Sequence, residues 1–164
     1  MQNLMKGSLI VITFPQPDRA ETVYDALQAM RRRALYSLNE ALVVTKNRGG
    51  RVRLHHTHTL ANTSSPHMLD VIVGLIFADE GDEENGRNSQ NEIKANLAQN
   101  GFDLKFLDIL GHAMEEESSA IFFLVKNAGV GDADEIIKVL ALFHGNIAQT
   151  TISPQSEYYL TQLA

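Results

Sequence analysis

Large apolar residues in this chain gather in two patterns, short continuous runs and helical periodicities, and the two alternate. Ile121 to Val125 are five consecutive large apolar residues, preceded by Glu115, Glu116 and Glu117 and followed by a loop-like stretch at 127–131. A run this short, rich in aromatic and β-branched side chains, predicts a strand buried on both faces over residues 119–126. Residues 8–14 repeat the pattern around Leu9 to Ile12 and are ended by Pro15 and Pro17. Residues 40–46 hold a mixed run and predict a third strand. Asn47 to Gly50 are a turn signal. Residues 51–56 then alternate, with Val52, Leu54 and His56 to one side and Arg51, Arg53 and His55 to the other. This predicts a β-hairpin whose outer strand is an edge with one wet face. Residues 146–152 predict a further, half-buried strand.

Between these runs the spacing becomes helical. Asp18 and Glu21 have capping-box spacing, and Val23, Leu27, Met30 and Ala34 follow on one face, which predicts a helix from 18 to about 36. Arg31, Arg32 and Arg33 fall late in it, where positive charge complements the helix dipole. Asp132 and Glu135 repeat the box, Ile136, Ile137, Leu140 and Phe143 repeat the face, and Gly145 is placed as a C-terminal stop. Ser153 and Pro154 suit the N-cap and first position of a last helix bearing Tyr158, Tyr159, Leu160 and Leu163. Residues 57–66 read as loop, 68–78 as a short apolar helix and 79–91 as an acidic, polar loop. Residues 92–99 read as a short helix through Ile93 and Leu97. Residues 102–114 form a stronger helical pattern with Asp103 as N-cap.

Strand, loop, Asp-x-x-Glu, helix and strand thus occur twice in the same order. Two βαβ units predict an α+β fold, a ferredoxin-like split βαβ sandwich with an added β-hairpin strand and a mainly helical insertion. The chain divides into repeat one at about 8–46, the hairpin strand at 51–56, the insertion at about 57–117, repeat two at about 119–152 and a C-terminal helix at 154–163, all in one domain. The first strand of each repeat belongs in the centre of the sheet and the second nearer an edge. The hairpin argues against the competing architecture, a three-layer sandwich around a parallel sheet. The repeat helices cover one face, so the insertion or a second subunit must cover the other.

Particular strings carry a resemblance to a known family. They are Leu9-Ile-Val-Ile-Thr-Phe-Pro15 with Asp18-Arg-Ala-Glu21, and Glu40-Ala-Leu-Val-Val-Thr-Lys46 with Gly49-Gly50 and Val52-Arg-Leu-His55. The stretch from Gly101-Phe102 through Leu110-Gly111, the run from Ser118 to Val125 and Thr151-Ile-Ser-Pro154 continue them. Together they resemble DUF1269, a bacterial domain of unknown function often labelled a predicted membrane protein. That label implies membrane association through an apolar segment in the middle of the chain. This sequence keeps Val71 to Phe77 but departs from the family afterwards, turning acidic where the family continues apolar. The resemblance implies no catalytic residues.

Composition narrows the classes. The chain has 164 residues, is 44% hydrophobic and carries a formal net charge of −6, which suits one domain with a full core and disfavours a nucleic-acid partner. With no cysteine it has no disulfide, thiolate metal site or cysteine nucleophile. The apolar stretch after Met68 is well short of the about 20 residues that span a bilayer, and the first residues lack the apolar core of a signal peptide. The expected protein is soluble and cytoplasmic, with peripheral contact at the inner membrane as the alternative.

Two candidate sites follow. His56 and His58 fall on one side of an extended strand, where two imidazoles at i and i+2 can share a divalent metal with His67 or an acid from 79–84 as third ligand. The alternative is a solvated strand end. Met68, Leu69, Val71, Ile72, Leu75, Ile76 and Phe77 are candidates for a subunit interface or a membrane contact, or else cover the domain's own core; their near-continuous apolarity leaves periodicity unable to choose. His112 and His144 sit near helix ends and suggest no chemistry. The acidic residues Asp79, Glu80, Asp82, Glu83 and Glu84 lack EF-hand spacing. The Gly129 to Asp132 turn lacks the lysine of a phosphate loop. No catalytic constellation and no cofactor motif is visible. The expectation is a non-enzymatic, self-associating interaction or regulatory module, a homo-oligomer, with a peripheral membrane protein or a histidine-based metal-binding protein as alternatives.

Overall fold

The computed structural model describes residues 7–30, 38–56, 68–77, 84–125 and 132–163. Its strands are β1 (Gly7–Phe14), β2 (Leu38–Lys46), β3 (Val52–His56), β4 (Ser118–Val125) and β5 (Asn146–Ile152). Its helices are α1 (Arg19–Met30), α2 (Met68–Ile76), α3 (Glu84–Gln99), α4 (Leu104–Ala113), α5 (Asp132–Leu140) and α6 (Pro154–Leu163). The strands form one open sheet in the order β3-β2-β4-β1-β5, and every pair is antiparallel. The protein is therefore α+β. The first strands of the two repeats, β1 and β4, lie side by side, with Ile10 opposite Phe123 and Ile12 opposite Ile121. The hairpin adds β3 outside β2, where the alternating pattern placed it.

All eight residues of β4 are buried, because both faces of the sheet are covered. Side chains alternate across a strand, and the two apolar sets go to separate cores. Ile10, Ile12, Phe14, Val43, Ile121 and Phe123 pack against Val23 and Leu27 of α1 and Ile136 and Leu140 of α5. Leu9, Val11, Leu42, Val44, Phe122 and Leu124 pack against Leu69 and Ile72 of α2, Phe106 and Leu110 of α4, Leu97 of α3 and Leu160 of α6. Each fully buried phenylalanine or branched aliphatic contributes about 1.5–3 kcal/mol. The cover that the repeat helices cannot supply comes from the insertion and the last helix.

In each layer one helix is tied to the sheet at its start by a strand side chain. The Ala20 N–H, second in α1, donates to Ser119 Oγ at 3.0 Å, and Ser119 Oγ donates onward to Gln16 O at 2.6 Å. The Leu69 N–H, second in α2, donates to Glu40 Oε1 at 3.0 Å. The first N–H groups of a helix have no partner within it, so buried Ser119 and Glu40 satisfy donors that burial would otherwise strand.

The structure corrects several expectations. α3 begins at Glu84, within residues 79–91 that read as loop. Once Ile93 and Leu97 anchor its second half, each added turn costs little, because nucleation rather than propagation is the unfavourable step. β2 begins two residues earlier than expected, with a register irregularity between Leu38 and Glu40. α1 is described to Met30, so the rest of its expected span, with Arg31 to Arg33, lies outside the described residues. Leu54 lies on the face of Val44, its partner in β2, yet is 37% exposed, so β3 projects past the cover that protects Val52. Gly145 is not the left-handed stop after α5. His144 takes that conformation, at φ 59°, while a Cβ on Gly145 would lie 2.6 Å from Ile12 Cγ1 and 2.7 Å from Phe14 Cε1. Glycine stands there because the chain passes directly over β1 side chains.

Candidate functional site

The histidine cluster falls largely outside what is described. His56 ends β3 opposite Leu42, whereas His58 and His67 lie outside the described residues. Among the described residues no three His, Asp, Glu or Cys side chains gather as metal ligands do. Asp79, Glu80, Asp82 and Glu83, and the Gly129 to Gly131 turn, also lie outside. His112 closes the last turn of α4 with Nδ1 2.8 Å from Asp108 O, which ties the ring to its own helix.

The apolar segment is fully placed. Met68, Leu69, Ile72 and Leu75 are buried in the chain's own core, and Val71, Ile76 and Phe77 are half-buried against it. Of the three readings open from sequence, cover for the domain's own sheet is the one this burial supports. α2 packs against α4 and α6, which had offered no sequence signal of the contact. No helix among the described residues is long and apolar enough to cross a membrane.

Surface concavities offer little chemistry. A cavity of about 450 Å³ lies between Asn100, Pro154, Gln155, Tyr158, Tyr159 and Gln162, and Tyr159 is pinned by a 3.1 Å hydrogen bond from Asn96 Nδ2 to its hydroxyl. A second, of about 550 Å³, sits between the β2–β3 turn, with Lys46 and Arg51, and Ile76, Phe77 and Gly111. Lys46 is engaged there, its Nζ donating to Met114 O at 3.0 Å and lying 5.8 Å from the centre of the Phe77 ring. A smaller one, of about 230 Å³, has Lys94, Asp108 and His112 at its rim. None of the three pairs a nucleophile with a base.

What the fold does leave open is backbone. An edge strand presents unpaired N–H and C=O groups along one side, and proteins blunt such edges with charge, proline, bulges or shortness. The two edges here differ. β3 is five residues long, with Arg51 just before it, Arg53 and His55 exposed within it, and Arg48 of its turn 3.4 Å from Glu117. β5 is seven residues long, Asn-Ile-Ala-Gln-Thr-Thr-Ile. It has no charged residue and no proline, and its pairing with β1 runs without a break from Gly7–Ile152 to Thr13–Asn146. Sequence reading placed the exposed edge at β3 from its alternating arginines. The order of the two repeats also placed their second strands, and so β5, toward an edge; its lack of charge acquires meaning once the strand is known to be outermost.

The class defined by this architecture is an α+β domain whose open, five-stranded antiparallel sheet carries helices on both faces. Compared with known proteins, the chain matches no family model, no curated protein and no solved structure.

Proposed function

We propose that this protein is a non-enzymatic interaction or regulatory module that acts by self-association, related to the DUF1269 family and working in the cytoplasm. The observation that carries the reading is that helices cover both faces of the sheet while its long, uncharged edge β5 has no second neighbour among the described strands. Such an edge serves as a template for another strand. The kinship rests on the quoted strings, which fall on β1, the start of α1, β2, β3, α4, β4 and the junction of β5 with α6. The burial of Met68, Leu69, Ile72 and Leu75 favours association through an edge over association through that helix, and over contact with a lipid surface. The test is the mass in solution by light scattering and sedimentation across a wide concentration range. The expected result is a species of at least twice the 18.2 kDa chain mass; a strict monomer throughout rejects the proposal.

A further inference from the structure

We infer that two copies of this chain join through β5, paired antiparallel with its own counterpart about a two-fold axis at Gln149, so that two five-stranded sheets become one continuous sheet. This rests on the self-association reading and specifies where and how it occurs.

The backbone supplies the first reason. β5 is bonded to β1 on one side and is outermost among the described strands on the other, so alternate residues direct amide and carbonyl groups outward with no strand among the described residues to pair them. Its regular register with β1 leaves no bulge to twist that edge away from a flat partner.

Charge supplies the second. The chain carries a net charge of −6, so two copies repel unless they meet where no charge is concentrated. β5 has none over its whole length. The competing edge gathers like charge: an antiparallel self-pairing of β3 brings Arg53, and Arg51 just before the strand, of both copies onto a ladder only five residues long. Like charges in cross-strand positions destabilise a sheet.

Symmetry and side-chain complementarity supply the third. A two-fold contact is self-complementary, so a residue i that meets j must also have its j meet that i. Centring the axis on Gln149, the middle residue of β5, keeps all seven residues in the ladder, whereas any shift shortens it. The centred register places Gln149 opposite its own copy, Ala148 opposite Thr150, Ile147 opposite Thr151 and Asn146 opposite Ile152. Each pair lies on one face of the sheet, and β-branched residues take part in all but the central one. The antiparallel arrangement also brings the chain before one β5 toward the chain after the other. Leu142 precedes the strand and is 59% exposed, while Tyr158 and Leu163 follow it and are 70% and 41% exposed. These are three of the five large apolar side chains left exposed among the described residues, and they flank this strand in sequence, Leu142 on the α5 side of the sheet and Tyr158 and Leu163 on the α6 side.

The absence of cysteine in the chain makes the test clean. Gln149→Cys introduces a single thiol beside its own copy, and treatment with an oxidant or a short bifunctional thiol reagent is expected to convert most of the protein to a covalent dimer on a non-reducing gel. Arg53→Cys, on the opposite edge, is expected to stay monomeric on the same gel. Gln149→Lys with Thr151→Lys, which places like charges across the axis on the exposed side of the strand, is expected to halve the mass of the native dimer in light scattering. A native circular dichroism spectrum and a retained cooperative melt, no longer dependent on concentration, separate loss of pairing from loss of fold in that variant. If the wild-type chain associates but Gln149→Cys fails to cross-link and the double lysine variant keeps its mass, the β5 assignment is overturned while self-association stands. If the wild-type chain is monomeric at every concentration, both fall together.

Discussion

The two faces of the sheet are built differently although the strands between them are shared. One face is covered by α1 and α5, which follow the two repeats with the same Asp-x-x-Glu start and the same helical stripe. The other is covered by α2, α3, α4 and α6, which have no common pattern and come from an insertion and the chain's last segment. Yet both layers bury an apolar face of their helices against the sheet, and both secure one helix start through a strand side chain, Ser119 for α1 and Glu40 for α2. A repeated layer and an irregular one thus reach the same end through the same local physics, which is satisfaction of stranded N–H groups and removal of apolar area from water.

The sharpest way to break this comparison is to cut one large side chain from each core. Phe122 and Phe123 are adjacent in β4, both are fully buried, and they point to opposite faces. Phe122→Ala and Phe123→Ala should each cost about 3–5 kcal/mol in denaturant unfolding, with one cooperative transition in both cases. If Phe122→Ala cost less than about 1 kcal/mol, or split the transition in two, the insertion layer would be an accessory rather than part of the domain's core.

That equality also explains what was readable beforehand. β1, β4 and the α1 and α5 starts announce themselves by local pattern, and the Asp103 cap on α4 is a short-range signal borne out by its acceptance of the Lys105 N–H at 3.1 Å. The destination of Met68 to Phe77 is not local. Nearly continuous apolarity fits a core, a subunit interface and a lipid surface equally, and only the positions of α4 and α6 decide. The same holds for Ser119 and Glu40, whose partners lie 99 and 29 residues away. Of the candidate site, the histidine cluster had a local motif but falls mostly outside the described residues. The β5 edge had no motif of its own; its place followed from the order of the two repeats, and only the strand order shows it outermost.

A smaller effect tests how tightly the repeat layer is drawn. Gly145→Ala places a methyl group against Ile12 and Phe14, which are fixed inside a packed core. The expected cost is about 1–3 kcal/mol, read as a shift in the denaturation midpoint at unchanged slope. No shift would mean that the chain after α5 can lift from β1 freely.

Next come the two strand-to-helix ties. Ser119→Ala removes the acceptor of the Ala20 N–H and should cost about 1–2 kcal/mol, in the range of a lost helix cap. Glu40→Ala removes the acceptor of the Leu69 N–H and should cost about 1–3 kcal/mol, as expected for a buried donor left unsatisfied. Amide exchange resolves where each loss falls. Ser119→Ala should speed exchange at Ala20 without touching Leu69, and Glu40→Ala should do the reverse. Acceleration at both amides in either variant would show that the two layers open as one unit rather than as two independently tied ones.

The smallest effect has the opposite sign and belongs to the irregular layer. Gly74 lies within α2, is exposed, and has open space where a Cβ would stand, with no atom within 4 Å. Its backbone lies in an ordinary helical stretch rather than at positive φ, so alanine fits without strain. Replacing it removes the conformational freedom that glycine confers on the unfolded chain and should stabilise the protein by about 0.5–1 kcal/mol. The same substitution is thus expected to destabilise at Gly145 and stabilise at Gly74, because one glycine is required by a close approach over β1 and the other is not required by anything it touches. A loss of stability in Gly74→Ala, measured by the same denaturant titration, would mean that the outer side of α2 is covered in solution. That result would reopen α2 as an interface and weaken the case for β5 as the place where copies meet.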